Sequence, residues 1–207
     1  MRALKRVCFR AFFAPSCTGS GNRRDQLLLL LLAETGFRIG ELLGVRYVED
    51  IDYQGCRIRV EPKTDNENEV RAKYEEDRLA KASKYTYDIL VFYYAKYRNL
   101  LKESEYLFIT LSRKNVGRAV TEDAVNAMLR RLQEKTQIEV TSHMLRHYFA
   151  NERRKNRWSL ELISQALGHR NLQTTINYLN LSNEELVEAS EELFRQNAAL
   201  YMADKLL

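Results

Sequence analysis

Glycine and proline together fill only ten of the 207 positions, about 5% of the chain where soluble domains average nearer 12%. Turns and hairpins depend on those two residues, so they must be a minority, and a helix-dominated fold is the expectation. At roughly 100–200 residues per domain, the length allows one full domain with a flanking segment and excludes two large ones. The longest unbroken apolar run, Leu27 to Ala33, falls far short of the roughly 18 residues needed to cross a bilayer. With 45% hydrophobic and 29% charged residues, the chain can bury a core and is not disordered as a whole. A soluble globular protein is expected.

Cys8, Cys17 and Cys56 cannot all pair with one another and show no Cys-x-x-Cys spacing for zinc. The start of the chain has basic residues ahead of apolar ones, as a secretory leader would, but Arg10 interrupts the apolar centre. A reducing, cytoplasmic setting is therefore expected. Charge is unevenly placed. Residues 1–24 hold Arg2, Lys5, Arg6, Arg10, Arg23 and Arg24 with no acid, whereas 182–207 hold six acids and two bases. A basic lead suits a polyanionic partner, because each neutralised phosphate releases counterions. A solvated basic tail explains the same charge equally well.

Pro15 to Asn22 is a cluster of turn formers and reads as the end of a linker, residues 1–22. Asp25 to Thr35 reads as a strongly apolar helix stopped by Gly36, with a short helix at about 39–46 after it. Cys56, Ile58 and Val60 alternate with Arg57, Arg59 and Glu61, the period of a half-buried strand. Asp65 to Glu69 reads as a hairpin tip, and Val70, Ala72 and Tyr74 alternate with Arg71, Lys73 and Glu75 on a returning strand, which places Lys73 on its polar face. Helices are expected at 84–98, from a Thr121 cap to about 135, and at 142–155, 159–167, 172–180 and 183–202. Trp158, Leu160, Leu162 and Leu167 read as core. The fold class is thus mainly α with a small antiparallel sheet, in one body at 23–181, followed by a C-terminal helix within 182–207.

All three histidines, His143, His147 and His169, fall inside a stretch that also holds Arg146, Arg153, Arg154, Lys155, Arg157 and Arg170. On a helix, His143, Arg146 and His147 stand at i, i+3 and i+4, so they share one face. Such a face repels itself unless an anion sits opposite. A zinc site is the competing reading, but the i, i+4 pair lacks the Glu after its first His, where Met144 stands.

Four segments occur in order: Thr35-Gly36-Phe37-Arg38-Ile39-Gly40-Glu41, then His143-x-x-Arg146, then Leu167-Gly168-His169, and nine residues later Tyr178. Together they resemble the tyrosine recombinases, the phage-type integrase family of mobile elements, over about residues 25–181. The resemblance implies the DNA breaking-rejoining catalytic fold of that family. It also implies that Arg38 and Arg146 grip the non-bridging oxygens of a scissile phosphate, a task suited to a planar, permanently charged fork. Tyr178 is then the nucleophile, His143 its base, and His169 a hydrogen-bonding partner of the phosphate. The leaving 5′-oxygen needs a proton from a hairpin lysine. Lys73, five residues before Arg78, suits a long hairpin, while Lys63 suits a short one.

The implied reaction forms a 3′-phosphotyrosine and needs neither metal nor ATP. The same chemistry fits a type IB topoisomerase-like relaxing enzyme, and the basic surface alone fits a non-catalytic DNA-binding module. His147 reads as structural, and Glu41 as orienting Arg38 or capping its helix. Full-length members carry a further N-terminal DNA-binding domain that completes a clamp, and here a basic lead is what precedes the body. Binding to double-stranded DNA is therefore expected to be weak and salt-sensitive. In 183–202 an apolar stripe recurs every seven residues on an acidic helix. By resemblance, that helix docks on a neighbouring subunit in a tetramer on DNA. Packing within its own chain is the alternative.

Overall fold

The structure is a computed structural model that describes residues 23–61, 63, 66, 77–111, 114–179, 190, 191 and 195, with the backbone alone at 177 and 178. Helix α1 (Arg23–Thr35) runs through the middle of the body. Every residue from Leu27 to Ala33 is buried, as an all-round apolar helix requires. Around it pack α5 (Ser142–Lys155), α3 (Lys84–Ser104), the short α2 (Ile39–Leu43) and a small sheet. Gly36 ends α1 with φ +68°, the left-handed conformation that lets a chain leave a helix sharply.

The sheet is antiparallel, in the order β1 (Ile51–Asp52), β2 (Arg57–Val60), β3 (Arg78–Lys81). In β2 the expected alternation is realised, with Ile58 and Val60 buried and Arg57 and Arg59 exposed. The strand that returns beside it is Arg78–Lys81, in a register that pairs Val60 with Arg78. The expected return at Val70 to Glu75, with Lys73 on it, lies outside the described residues.

Side-chain caps define the remaining helices. Ser83 accepts from the Thr86 amide to start α3, and Thr121 does the same for α4 (Glu122–Thr136). Thr141 caps α5, Ser159 caps α6 (Leu160–Leu167), and Asn171 caps α7 (Leu172–Tyr178). Each satisfies an amide that the first helical turn leaves without a partner. Helix α3 outruns its expected end at 98, continuing through a kink at Tyr97. Helix α2 stops at Leu43, short of 46.

A satellite cluster of Phe149, Ala150, Ile163, Leu167 and Leu179 joins α5, α6 and the end of α7, with Trp158 and Leu160 packed on it. Leu162 departs from the expected core and is exposed, because the inward stripe of α6 runs through 160, 163 and 167. Of the expected helix at 183–202, residues 190, 191 and 195 are described, and all three are helical. Among the described residues, no helix is long and apolar enough to cross a membrane.

Candidate active site

Among the described residues, the most deeply buried cation is Arg146, on the first turns of α5. The flanking Leu145 and Phe149 face the interior, which draws the guanidinium into the body. There its Nη1 donates to the Gly36 carbonyl and its Nη2 to the Leu167 carbonyl. Both acceptors lie at helix C-termini, where the peptide dipoles present negative charge. Burying a cation is costly unless it is hydrogen-bonded, and these two carbonyls meet that need. The seat depends on Gly36, where a Cβ would come within 2.5 Å of the Phe149 ring.

His169 follows Gly168, whose φ of +62° ends α6. Its Nε2 lies 3.2 Å from Arg146 Nη2. A guanidinium only donates, so Nε2 is the acceptor. The ring proton is then on Nδ1, which donates to Thr175 Oγ1 at 2.9 Å. Burial pushes the imidazole pKa down to about 4, assisted by the positive charges of Arg146, Arg38 and Arg78 and opposed by Glu41. The ring is therefore neutral at ordinary pH. Thr175 is buried on α7, so His169 ties the loop after α6 to the helix that Tyr178 closes. The Tyr178 side chain lies outside the described residues.

Arg38 occupies the turn between α1 and α2, as its sequence context predicts. Its amide donates to Glu41 Oε2 at 2.6 Å and its Nη1 to Glu41 Oε1 at 2.9 Å. Glu41 therefore both caps α2 and orients Arg38. The Arg38 side chain is 23% exposed and that of Glu41 only 5%, so the guanidinium reaches the surface while its anchor stays inside. Burial alone would raise the Glu41 carboxyl. Arg78, the Arg38 amide and the Arg38 guanidinium together outweigh it and hold the group below its ordinary value.

His143 and His147 stack edge to face, with ring centroids 4.7 Å apart. Partial burial, then repulsion from His147 and Arg146, lowers the His143 pKa, which favours an imidazole able to accept a proton. His143 is the more exposed of the two and His147 the more buried. Among the described residues, no group of three or more His, Cys, Asp or Glu is placed to hold a metal ion.

Arg153 has a structural part to play. It lies over Phe149 and Trp158 and donates to the Glu34 carbonyl at 2.9 Å. Lys63 pairs with buried Asp50 at 2.6 Å and approaches Glu49 at 3.8 Å.

Folding thus gathers Arg38, Arg146 and His169, which stand more than a hundred residues apart at the extremes, and sets His143 beside Arg146. Two contributors escape sequence reasoning. Thr175 carries no chemical signature of its own. Arg78 serves in the sequence only as a landmark for Lys73, yet its guanidinium pairs with Glu41. The polarity pattern of β3 points the wrong way: Leu79 is 60% exposed, while the Arg78 side chain is only 10% exposed. Pairing with inward-facing Val60 is what turns Arg78 inside.

With neutral imidazoles, three guanidiniums face one carboxylate. This is a helix-dominated domain with a cluster of cationic side chains, an arrangement that suits an anion. The chain belongs to the phage integrase family, whose profile matches residues 8–185. It is 36% identical over 170 residues to transposase A from transposon Tn554 of Staphylococcus aureus, covering 79% of this chain and 45% of that protein. It is 31% identical over 172 residues to tyrosine recombinase XerA of Pyrococcus horikoshii, covering 83% of this chain and 55% of that one. The chain spans about half the length of these curated relatives.

The crystal structure of XerA recombinase superimposes with a TM-score of 0.71 at 26% identity, covering 95% of this chain and 65% of that one. The Tn1549 transposon integrase in complex with circular intermediate DNA shares the fold, with a TM-score of 0.70 at 18% identity, covering 93% of this chain and 67% of that one.

Proposed function

We propose that this chain is the catalytic part of a site-specific DNA recombinase of a mobile element, which cuts and rejoins double-stranded DNA through Tyr178. The observation that carries the reading is the meeting of Arg38 and Arg146 beside His169. A phosphodiester brings one negative charge and its pentavalent transition state two, so a cationic pocket favours the transition state over the ground state.

The Tyr178 oxygen attacks phosphorus, the bond from phosphorus to the 5′-oxygen breaks, and a 3′-phosphotyrosyl bond forms. Neutral His143 takes the phenol proton. A hairpin lysine gives a proton to the leaving 5′-oxygen. Lys73 is assigned that role, and the commitment of Lys63 to Asp50 supports the choice. Rejoining runs the same steps backwards with a 5′-hydroxyl from the partner strand. The bond energy is conserved, so neither ATP nor a metal enters the scheme. His169 positions Arg146 before DNA arrives. The C-terminal helix is assigned to docking between subunits of a tetramer on DNA, in the cytoplasm.

The test is covalent capture on a pool of nicked duplexes with a randomised core, read on a denaturing gel. The chain is expected to give a protein–DNA adduct, and Tyr178→Phe to bind the duplexes and give none. No adduct from the parent, or an adduct from Tyr178→Phe, would overturn the reading.

A further inference from the structure

The Arg78 guanidinium touches both the segment that carries Arg38 and the one that leads into His169. Its Nη2 pairs with Glu41 Oε2, the oxygen that also accepts the Arg38 amide. Its Nη1 donates to the Ala166 carbonyl at 3.1 Å, near the end of α6 and three residues before His169. Its Cζ lies 5.3 Å from the centroid of the Phe37 ring, next to Arg38. Its Nε runs so close beneath Gly168 that a Cβ there would come within 2.8 Å of it. The strand that carries it closes the connection in which Lys73 stands.

One planar group thus braces the Arg38 turn, the His169 loop and the base of the lysine-bearing connection. The electrostatics are specific. Glu41 is buried, and among the described residues it is the one carboxylate that acts on His169. Were Arg38 its sole cationic partner, the carboxylate would cancel most of the charge that Arg38 offers to a phosphate. A second guanidinium on Glu41 shares that anion and leaves Arg38 with usable positive charge.

We propose that Arg78 is a positioning residue for strand cleavage, which occupies Glu41 so that Arg38 stays available to the scissile phosphate and holds the His169 loop in register with it. The proposal rests on the assignment of Arg38 to that phosphate and of His169 to the positioning of Arg146. Lysine cannot replace the fork, because one ammonium does not bond Glu41 and the Ala166 carbonyl in the same plane.

The test combines adduct formation on the captured duplex with NMR of the Arg38 guanidinium, in Arg78→Met, Arg78→Gln and Arg78→Lys, each with and without Glu41→Gln. Thermal melting checks folding, and the Gln and Met variants back each other up if one fails to fold. Arg78→Met is expected to slow adduct formation about 100-fold, the scale of losing a transition-state donor, and Arg78→Lys about tenfold. Adding Glu41→Gln to Arg78→Met is expected to recover about tenfold, since the competing carboxylate is gone.

In Arg78→Met the Arg38 guanidinium should rotate more slowly about its Cζ–Nε bond, held by Glu41 alone, and return to the parent rate in the double variant. Folded Arg78 variants that cleave like the parent, a loss that Glu41→Gln does not relieve, or unchanged Arg38 rotation would each overturn the proposal. The rotation is read without DNA. A parent chain that forms no adduct would therefore sink the recombinase reading while leaving the NMR arm to decide the role of Arg78.

Discussion

His169 shows how a single residue can report on its surroundings. In the unfolded chain its imidazole titrates near 6.5, and in the folded chain at about 4, because burial and the guanidiniums of Arg146, Arg38 and Arg78 oppose protonation against the weaker pull of Glu41. Above the unfolded value both states are neutral and the ring costs nothing. As pH falls from 6.5 towards 4, the unfolded chain binds a proton that the folded one refuses, so stability is lost across that window. Urea unfolding of the parent and of His169→Gln at pH 7 and again at about pH 5 checks this. The parent is expected to lose stability relative to the variant at the lower pH. A parallel fall of the two would mean that the ring does not carry the effect.

At the scale of elements, the site is a junction of helix ends. The carbonyls of Gly36 and Leu167, closing α1 and α6, hold Arg146, and the start of α2 holds Arg38. Gly36→Ala would force φ +68° on a residue with a side chain and drive its Cβ into Phe149. The combined strain is on the order of 2–5 kcal/mol. A shift of that size in the urea midpoint, together with slower adduct formation as the Gly36 carbonyl moves, is the expected outcome.

Much of this was legible in advance. The apolar run at 27–33, Gly36 as a stop, Thr121 as a cap and the alternation of Ile58 and Val60 are local signals with local causes, and α1, α4 and β2 follow from them. What local pattern does not hold is pairing register. Arg78 turns in and Leu79 out, against their polarity, because Val60 sits opposite Arg78, and that partner is chosen across residues 61–77. Thr175 was hidden for a similar reason, since its worth lies wholly in the His169 ring that tertiary folding brings to it.

At the scale of the whole molecule, charge is divided along the sequence. The basic lead at 1–24 and the acidic stretch at 182–207 give the chain opposite poles. The recombinase reading assigns the second pole to a neighbouring subunit. Light scattering of the chain, with and without residues 182–207, on the captured duplex tests that assignment. The full chain is expected to assemble beyond one copy per binding site, and the shortened one to remain single while keeping its fold. Equal masses would place the stripe within its own chain.

On the recombinase reading, the seating of Arg146 has a consequence for how a duplex is searched. A cation already satisfied by two main-chain oxygens keeps its posture whether or not a duplex is present, so encounters with irrelevant DNA demand no local rearrangement and release none. On that reading scanning is quick and indifferent to sequence, and the choice of where to cut falls to contacts with base edges away from the reacting phosphate.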